Sequence, residues 1–510
     1  MNAMKKIIRR SNTLLSFLFI SIFASQCFAQ SAINSDRNSN FFYLKKLNSI
    51  FDFVQQNYVD DIDPKVLYEG AMKGMLDALD DPYTSYLDES VQRDLAETTE
   101  GHFGGVGLMI SKPTESKPEK PAYVEVSTPI EDTPGARAGI LSGDYIVEID
   151  GNPTEPMTMQ EVLKNLRGEV GTPVTVTILR GKTMRFSVDL IRGLIEVPTV
   201  KYSMIGKTGY VRLIQFTPDT APRLQEALDF FKANGFENMI LDLRDNGGGL
   251  ITSAVNVVDK FIDEGLIVST KGRLAYQNSA YSASEQKTVV RDKPMVVLIN
   301  RGSASASEIV SGALKDHHIA YLVGTRSYGK GSVQSVIPLD SGEEIKLTIA
   351  RYYSPSDTNI DKIGIPPDLE VTFPPLSEES EKAYAALVES DAVNTYVEAH
   401  PSMSEADIAA YAKELKKSYD LEERLLRRII RLQVNRHNPS VVYDLDFDVQ
   451  LNAALDVLNK TDDFASLVAS AKTLRELQEE AEANEAAEKA APGAAGADRA
   501  DSAYGNKKAE

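Results

Sequence analysis

The spacing of apolar positions changes along the chain, and each spacing predicts a different kind of element. Near the start, apolar residues recur every three or four positions, which predicts an amphipathic helix; they are Leu44, Leu47, Phe51, Val54 and Tyr58. Asp63 and Pro64 then supply an N-cap and a first-turn proline for a second helix. We assign residues 41–95 to an N-terminal helical region.

From about residue 200, short apolar runs alternate with stretches of helical spacing. The predicted strands are 208–216, 239–243 and 295–299, and the predicted helices are 221–234 and 252–262. Strands that alternate with helices form a largely parallel sheet with crossover helices. We therefore expect an α/β core over residues 193–375, and a mixed α+β chain once the flanking segments are included.

Helical spacing returns over residues 376–480. The apolar positions there predict helices that dock either on the N-terminal helices or on a second copy of the chain; they are Leu421, Leu425, Ile429, Leu432, Phe447, Leu451, Leu455 and Leu458. Over residues 481–510 alanine, glutamate, glycine and aspartate dominate, so a disordered tail is expected.

Composition and the first residues indicate an exported, periplasmic protein. Residues 1–29 have the order of a cleaved signal peptide, with basic residues, an apolar segment and Ala29 at the cleavage position. A retained segment, or lipidation at Cys27, would instead associate the chain with the membrane. Cys27 is the only cysteine, so cleavage after Ala29 excludes disulfides and cysteine catalysis. The net charge of −19 argues against nucleic-acid binding.

Residues 96–192 have a β pattern, with a glycine-rich loop at 104–110 and the stretch GDYIVEIDG at 143–151. These two motifs resemble those of a PDZ domain. Consecutive backbone N–H groups in such a loop can receive a peptide's terminal carboxylate, and the following strand offers an edge for an added strand. The predicted peptide-binding residues are Gly105, Val106, Gly107, Leu108, Ile110, Leu163 and Leu166.

The strongest candidate chemistry lies at a predicted strand, tight turn and helix around residues 295–308. The turn has the small-residue sequence GSASAS and contains Ser303, Ser305 and Ser307. It presents a hydroxyl beside the free N–H groups of a helix N-terminus, where an oxyanion can bind. Either these serines cap the helix, since serine is a favoured N-cap residue, or one of them is a nucleophile.

A serine nucleophile needs a base, and the nearby histidine pair is too distant. If the helix begins at Ser305, His317 lies roughly 18 Å along its axis. Lys330, in a glycine-flanked turn, is the better candidate, and Gln334 shares its face if that segment is extended. A lysine base must be neutral, so its pKa would have to fall from ~10.4 to roughly 7 or 8. The simpler alternative is a surface lysine in a turn.

The same segment comes close to a nucleotide-binding P-loop. GTRSYGKG at 324–331 follows a predicted strand, but it is one residue short of that motif. Gly331 stands where magnesium requires a serine or threonine, and a strand is predicted where a helix must cradle phosphate. We reject nucleotide binding, and we expect neither a metal nor a cofactor.

Five motifs follow one another along the chain: DPYTSY at 81–86, the PDZ unit, DLRDNGGG at 242–249, GSASASE at 302–308 and GKGSVQ at 329–334. In this order they resemble the carboxyl-terminal processing peptidases, or tail-specific proteases, which are serine endopeptidases with a Ser/Lys dyad. The resemblance implies that Ser305 is the nucleophile, Lys330 the base and Gln334 its support.

The resemblance further implies an oxyanion hole made by backbone N–H groups of Ala306 and of either Gly248 or Gly249. Its substrates would be proteins or peptides with accessible carboxyl termini, while an activating adaptor protein and a homo-oligomer through the terminal helices stay open. The expected function is an exported endopeptidase that captures carboxyl termini through its PDZ domain. The alternative is a catalytically inactive, PDZ-containing scaffold.

Overall fold

The computed structural model describes residues 40–113, 122–130, 133–141, 143–181, 183–196, 198–339, 342–372, 376–400, 402–436 and 442–490. It divides into two compact units: residues up to Tyr86 with Glu344–Leu347, and the remainder of the chain. The predicted signal peptide, with Cys27 and Ala29, lies outside the described residues. Within them, no helix has the length and apolar character needed to cross a membrane.

The first unit contains the two helices predicted at the start, Asn40–Asn57 and Pro64–Asp77. The second helix begins as the sequence predicts, because the Asp63 carboxylate accepts a hydrogen bond of 2.9 Å from the Lys65 N–H. The first helix buries none of its residues, and Phe41 is 75% exposed. Of its apolar stripe, Leu44, Leu47 and Tyr58 are exposed and Phe51 and Val54 are half-buried within the part of the chain that the structure describes.

The PDZ region forms a domain with its own apolar core. Its sheet contains, in spatial order, Leu108–Ser111, Val124–Pro129, Tyr145–Ile149, Pro173–Arg180 and Met184–Ile191. The short strand Asn152–Pro153 also pairs in this sheet, and the helices are Pro134–Arg137 and Met159–Leu166. Among the described strands, Leu108–Ser111 lies at the edge of the sheet, where an added strand can pair.

A two-stranded ladder joins the PDZ domain to the rest of its unit. His102–Gly105, which follows the helix Glu89–Glu100, pairs antiparallel with Gly193–Glu196. The first of these strands enters the domain and the second leaves it, so the entry and exit of the domain lie side by side. This is the arrangement expected for a domain inserted into another fold.

The predicted α/β core is a six-stranded, largely parallel sheet. In spatial order its strands are Val200–Ile205, Thr208–Leu213, Asn238–Asp242, Met295–Ile299, Tyr321–Gly324 and Leu369–Glu370. The first pair is antiparallel and every later pair is parallel. A second sheet contains Leu266–Gly272, Ser279–Ser282, Ser332–Pro338 and Glu344–Tyr353, and Ser85–Leu87 also pairs in it.

Helices cover both faces of the central sheet. One face packs against Thr220–Ala233, Ile251–Val258 and the serine helix, Ala306–Asp316, in the largest core of the described chain. The opposite face packs against Val449–Lys460, whose Leu451, Ala454 and Leu458 lie on the sheet. The sheet is thus sandwiched between crossover helices and a C-terminal helix.

This packing corrects the predicted docking of the C-terminal helices. Leu451, Leu455 and Leu458 lie on the central sheet, because its second face is apolar and needs a cover. The other C-terminal helices are Glu378–Glu389, Ala392–Ala399, Glu405–Leu415 and Glu423–Arg436. They form a separate core that includes Leu421, Leu425 and Ile429, whereas Leu432 is 57% exposed.

The end of the described chain is also more ordered than predicted. After the helix Phe464–Ala469, the helix Leu474–Ala490 passes through residue 481, where the disordered tail was expected to begin. Leu474 is buried in the main core, and its N–H donates to Asp316 at the end of the serine helix. The expectation is therefore wrong for residues 481–490, and residues 491–510 lie outside the described chain.

A buried charge network joins the C-terminal helix to the motif at 242–249. Arg244 donates to Asp242 in the same motif and, through two nitrogens, to the carboxylate of Asp448 at 2.8 and 2.7 Å. Asp448 is also the N-cap of the helix Val449–Lys460. Tyr210 donates to Asp242 from the neighbouring strand. Arg244 is thus held by two carboxylates from distant parts of the chain.

We predict that Asp448→Asn lowers the free energy of unfolding by about 2–3 kcal/mol, because asparagine can still cap the helix but cannot pair with Arg244. Asp456→Asn in the same helix removes an exposed pair with Lys460 and should cost under about 0.5 kcal/mol. Urea unfolding of the full chain measures both. Equal shifts would show that the Arg244 pair contributes no more than a surface pair.

Candidate active site

Ser305 lies at the turn between a central strand and the serine helix. Its backbone adopts φ 56° and ψ −113°, a region that non-glycine residues rarely occupy. The Ser305 side chain makes no helix-cap hydrogen bond within the described structure; the backbone carbonyl of Ser305 accepts from Glu308 and Ile309 instead. The hydroxyl is therefore not used in capping, and the residue is half-buried.

The other two serines of the motif have structural partners. Ser303 Oγ donates to the carbonyl of Leu243 at 2.8 Å, and Ser307 Oγ donates to the carbonyl of Asn246 at 2.8 Å. Both side chains are fully buried. These bonds attach the serine turn, residues 302–307, to the end of the neighbouring strand. Ser303 and Ser307 thus use their hydroxyls structurally, which distinguishes them from Ser305.

The glycine loop, Gly247–Gly249, follows that strand end and reaches the serine turn. A Cβ atom on Gly248 would lie 2.8 Å from the Cβ of Ser305 and 3.0 Å from the nitrogen of Ala306. The N–H of Gly248 donates to the side-chain oxygen of Asn246 at 2.9 Å. Gly249 is instead paired with Phe216. Of the two candidate glycines, Gly248 is the one in contact with Ser305 and Ala306.

The carboxylate of Glu308 connects the serine turn to the loop that carries Lys330. One oxygen, Oε2, accepts from the N–H groups of Ser305 and Lys330, each at 2.9 Å. The other, Oε1, accepts from Ser327 Oγ at 2.5 Å and from the Gly329 N–H at 2.7 Å. Glu308 is 1% exposed, and this burial raises its pKa, while the four donors oppose the rise.

Tyr352 contacts the same two residues from the carbonyl side. Its hydroxyl donates to the carbonyl of Lys330 and lies 3.3 Å from the carbonyl of Ser305. A phenol has one proton to donate, so the closer contact with the Lys330 carbonyl is the main hydrogen bond. The contact with the Ser305 carbonyl is weaker. Tyr352 is 3% exposed. Ser305 and Lys330 are therefore bridged by both Glu308 and Tyr352.

Gln334 lies in a strand, and Lys330 lies in the loop that leads into it. Lys330 is half-buried just before the strand Ser332–Pro338. Gln334 donates from Nε2 to Ser332 Oγ at 2.9 Å and to Thr348 Oγ1 at 3.1 Å. Both of these bonds come from the amide nitrogen, so the amide oxygen of Gln334 is the atom suited to accept from a lysine amine.

The histidine pair is at the opposite end of the serine helix. His317 is its C-cap residue, and its Nε2 contacts the carbonyl of Leu266 at 2.7 Å. His318 contacts the carbonyl of Val468 at 3.1 Å. Lys315 pairs with Asp368 in the same region. The helix therefore separates all three from Ser305.

The predicted peptide-binding residues of the PDZ domain are divided between its core, its edge strand and the glycine-rich loop. Val106 and Leu166 are buried in the domain core, Leu108 and Ile110 pack against that core from the edge strand, and Leu163 is half-buried. Gly105 pairs with Gly193 in the ladder. Gly107 has φ 72°, and a Cβ there would overlap Thr133.

Sequence reasoning missed Glu308 and Tyr352. Glu308 had a signal, because a glutamate three residues after a serine at a helix start is a capping-box pattern. Tyr352 had none, because it lies far along the chain from Ser305 and belongs to a different sheet.

Comparisons with known proteins match three parts of the chain. Residues 207–371 match the family described as Peptidase family S41, residues 125–180 match a PDZ domain, and residues 21–91 match the Activating protease CtpB N-terminal domain. The peptidase match contains the serine turn, the glycine loop and Lys330.

Relatives cover most of the chain. The Carboxy-terminal-processing protease of Bartonella bacilliformis is 41% identical over 351 residues, covering 68% of this chain and 79% of that protein. The Carboxy-terminal processing protease CtpA of Bacillus subtilis is 32% identical, covering 69% and 72%. A solved structure described as photosystem II D1 C-terminal processing protease is 30% identical, covers 66% and 88%, and has a TM-score of 0.40.

Proposed function

We propose that Ser305 is the nucleophile and Lys330 the general base of this chain. The chain belongs to the carboxy-terminal-processing protease family and is a serine peptidase. The observation that carries this proposal is the difference among the three serines. Ser303 and Ser307 use their hydroxyls to hold the turn together, while the half-buried Ser305 makes no cap bond.

Glu308 and Tyr352 support Lys330 as the base, since both contact the backbones of Ser305 and Lys330 together. In the proposed reaction, the neutral amine of Lys330 takes the proton of Ser305 Oγ as that oxygen attacks the substrate carbonyl. The protonated amine then passes the proton to the departing amine. Lys330 then deprotonates the water that attacks the acyl-enzyme ester, and it returns that proton to Ser305 Oγ as the acyl–oxygen bond breaks. Gln334 orients the lysine amine.

The oxyanion of the tetrahedral intermediate would bind at the start of the serine helix. Ala306 supplies one backbone N–H, and the contact of Gly248 with Ser305 and Ala306 favours Gly248 as the second donor. Because the Gly248 N–H already donates to Asn246, the oxyanion would share that proton or replace the bond. Gly249, paired with Phe216, serves to shape the loop.

We further propose that the PDZ domain captures substrate carboxyl termini and that the protein is exported to the periplasm. The edge position of Leu108–Ser111, next to the loop at Gly107, supports capture by strand addition. The basic and apolar order of residues 1–29 supports export. The competing function is an inactive peptide-binding scaffold.

We predict that Ser305→Ala, Lys330→Met and Lys330→Arg each reduce the cleavage of an unstructured protein at least about a thousandfold. Arginine keeps the positive charge but cannot act as a neutral base. His317→Gln and His318→Gln should remain active. Activity in Lys330→Arg would rule out the base role, and an inactive wild-type chain that still binds peptides would favour the scaffold.

Substituting the glycine loop tests the oxyanion site. Gly248→Ala should reduce kcat about a hundredfold, since its methyl group would press on Ser305 and Ala306. Gly247→Ala is the matched control, because a Cβ there meets no atom within 4 Å. Equal kcat values for the two variants would contradict the role of Gly248 as an oxyanion donor.

Carboxyl-terminal capture is tested with paired substrates of one sequence that end in a free carboxylate or in an amide. We expect a higher kcat/KM for the free carboxylate, since the amide lacks the charge that the backbone N–H groups of the loop receive. Equal values would contradict capture of the terminus but leave the Ser305 chemistry intact.

A further inference from the structure

We propose that Glu308 and Tyr352 are positioning residues that together set the backbone conformation of both Ser305 and Lys330, a pair of contacts that we call the backbone clamp. This inference rests on the proposed roles of Ser305 and Lys330. The clamp acts on the main chain, and so it would direct both side chains without touching the substrate.

The clamp contacts both peptide groups that flank Ser305 and both that flank Lys330. Glu308 Oε2 accepts from the N–H of Ser305, and Tyr352 contacts the carbonyl of Ser305. The N–H and carbonyl of Lys330 have the same two partners. The φ and ψ of a residue are rotations of these flanking peptide groups about its Cα, so fixing both groups fixes the direction of its side chain.

Ser305 requires such support because its backbone is strained. A non-glycine residue at φ 56° and ψ −113° costs on the order of 1–3 kcal/mol and persists only where its surroundings hold it. The Ser305 carbonyl also accepts from the N–H groups of Glu308 and Ile309, which belong to the helix itself. We expect that loss of the further contacts from Glu308 and Tyr352 lets the turn relax and redirects the Ser305 hydroxyl.

A single oxygen sets the spacing of the pair. Glu308 Oε2 is bonded to both backbone nitrogens at 2.9 Å, which keeps the nitrogens of Ser305 and Lys330 within two hydrogen-bond lengths of each other. Oε1 holds the same loop through Ser327 and Gly329, so the carboxylate cannot swing aside without losing four donors. An amide in its place would offer only one acceptor oxygen to these donors.

The test compares kcat, KM and thermal stability of the full chain in Tyr352→Phe and Glu308→Gln, at a temperature where each variant is fully folded. We expect kcat to fall about tenfold in Tyr352→Phe and about a hundredfold in Glu308→Gln, with KM within about twofold of wild type, because a misdirected pair binds substrate but reacts slowly. The matched control is Tyr411→Phe. Tyr411 is 9% exposed and also donates to a backbone carbonyl, that of Ala392, in the separate C-terminal core.

Unchanged kcat in Tyr352→Phe, or a loss equal to that of Tyr411→Phe, would overturn the clamp. If Glu308→Gln fails to fold, Tyr352→Phe still decides. Ser305→Ala and Lys330→Met are measured in parallel. Activity in either variant would overturn the proposed pair, and the clamp with it, whereas inactivity in both with full kcat in Tyr352→Phe would overturn the clamp alone.

Discussion

A carboxylate buried beneath the serine turn organises the rest of the site. An isolated buried anion is costly by several kcal/mol, so Glu308 can exist there only with its oxygens satisfied. Its four donors come from the serine turn and from the loop of Ser327, Gly329 and Lys330. Burial of the Glu308 carboxylate therefore requires the serine turn and the Lys330 loop to lie together. Neither segment can move independently while that carboxylate stays buried and hydrogen-bonded.

A second set of contacts attaches the glycine loop to the same turn. Asn246 accepts at its carbonyl from the Ala304 N–H and from Ser307 Oγ, and its side chain accepts from the Gly248 N–H. The strand end, the glycine loop and the serine turn are thus one connected piece at the carboxyl edge of the sheet. Parallel sheets place ligands at this edge, because their strands all end there beside helix N-termini.

The features that follow local rules were predictable from the sequence. The parallel sheet follows from strand–helix alternation, the start of the helix at Pro64 follows from Asp63, and the position of His317 follows from helix length. Contacts between distant segments were not predictable in this way. Nothing near Tyr352 indicates that its hydroxyl meets Lys330, and the spacing of Leu451 and Leu458 shows an apolar face without identifying the surface it covers. The choice between Gly248 and Gly249 likewise depends on a tertiary approach.

The match to the peptidase family ends at residue 371, but the folding unit that contains the site does not. The second face of the sheet is covered by Val449–Lys460, and Arg244, beside the glycine loop, finds its second carboxylate at Asp448. During synthesis the catalytic segment therefore leaves the ribosome before the helix that covers it. Until residue 460 has emerged, the second face of the sheet and the Arg244 side chain lack the contacts that Val449–Lys460 and Asp448 provide. The peptidase segment therefore cannot complete its fold until this last helix has been synthesised.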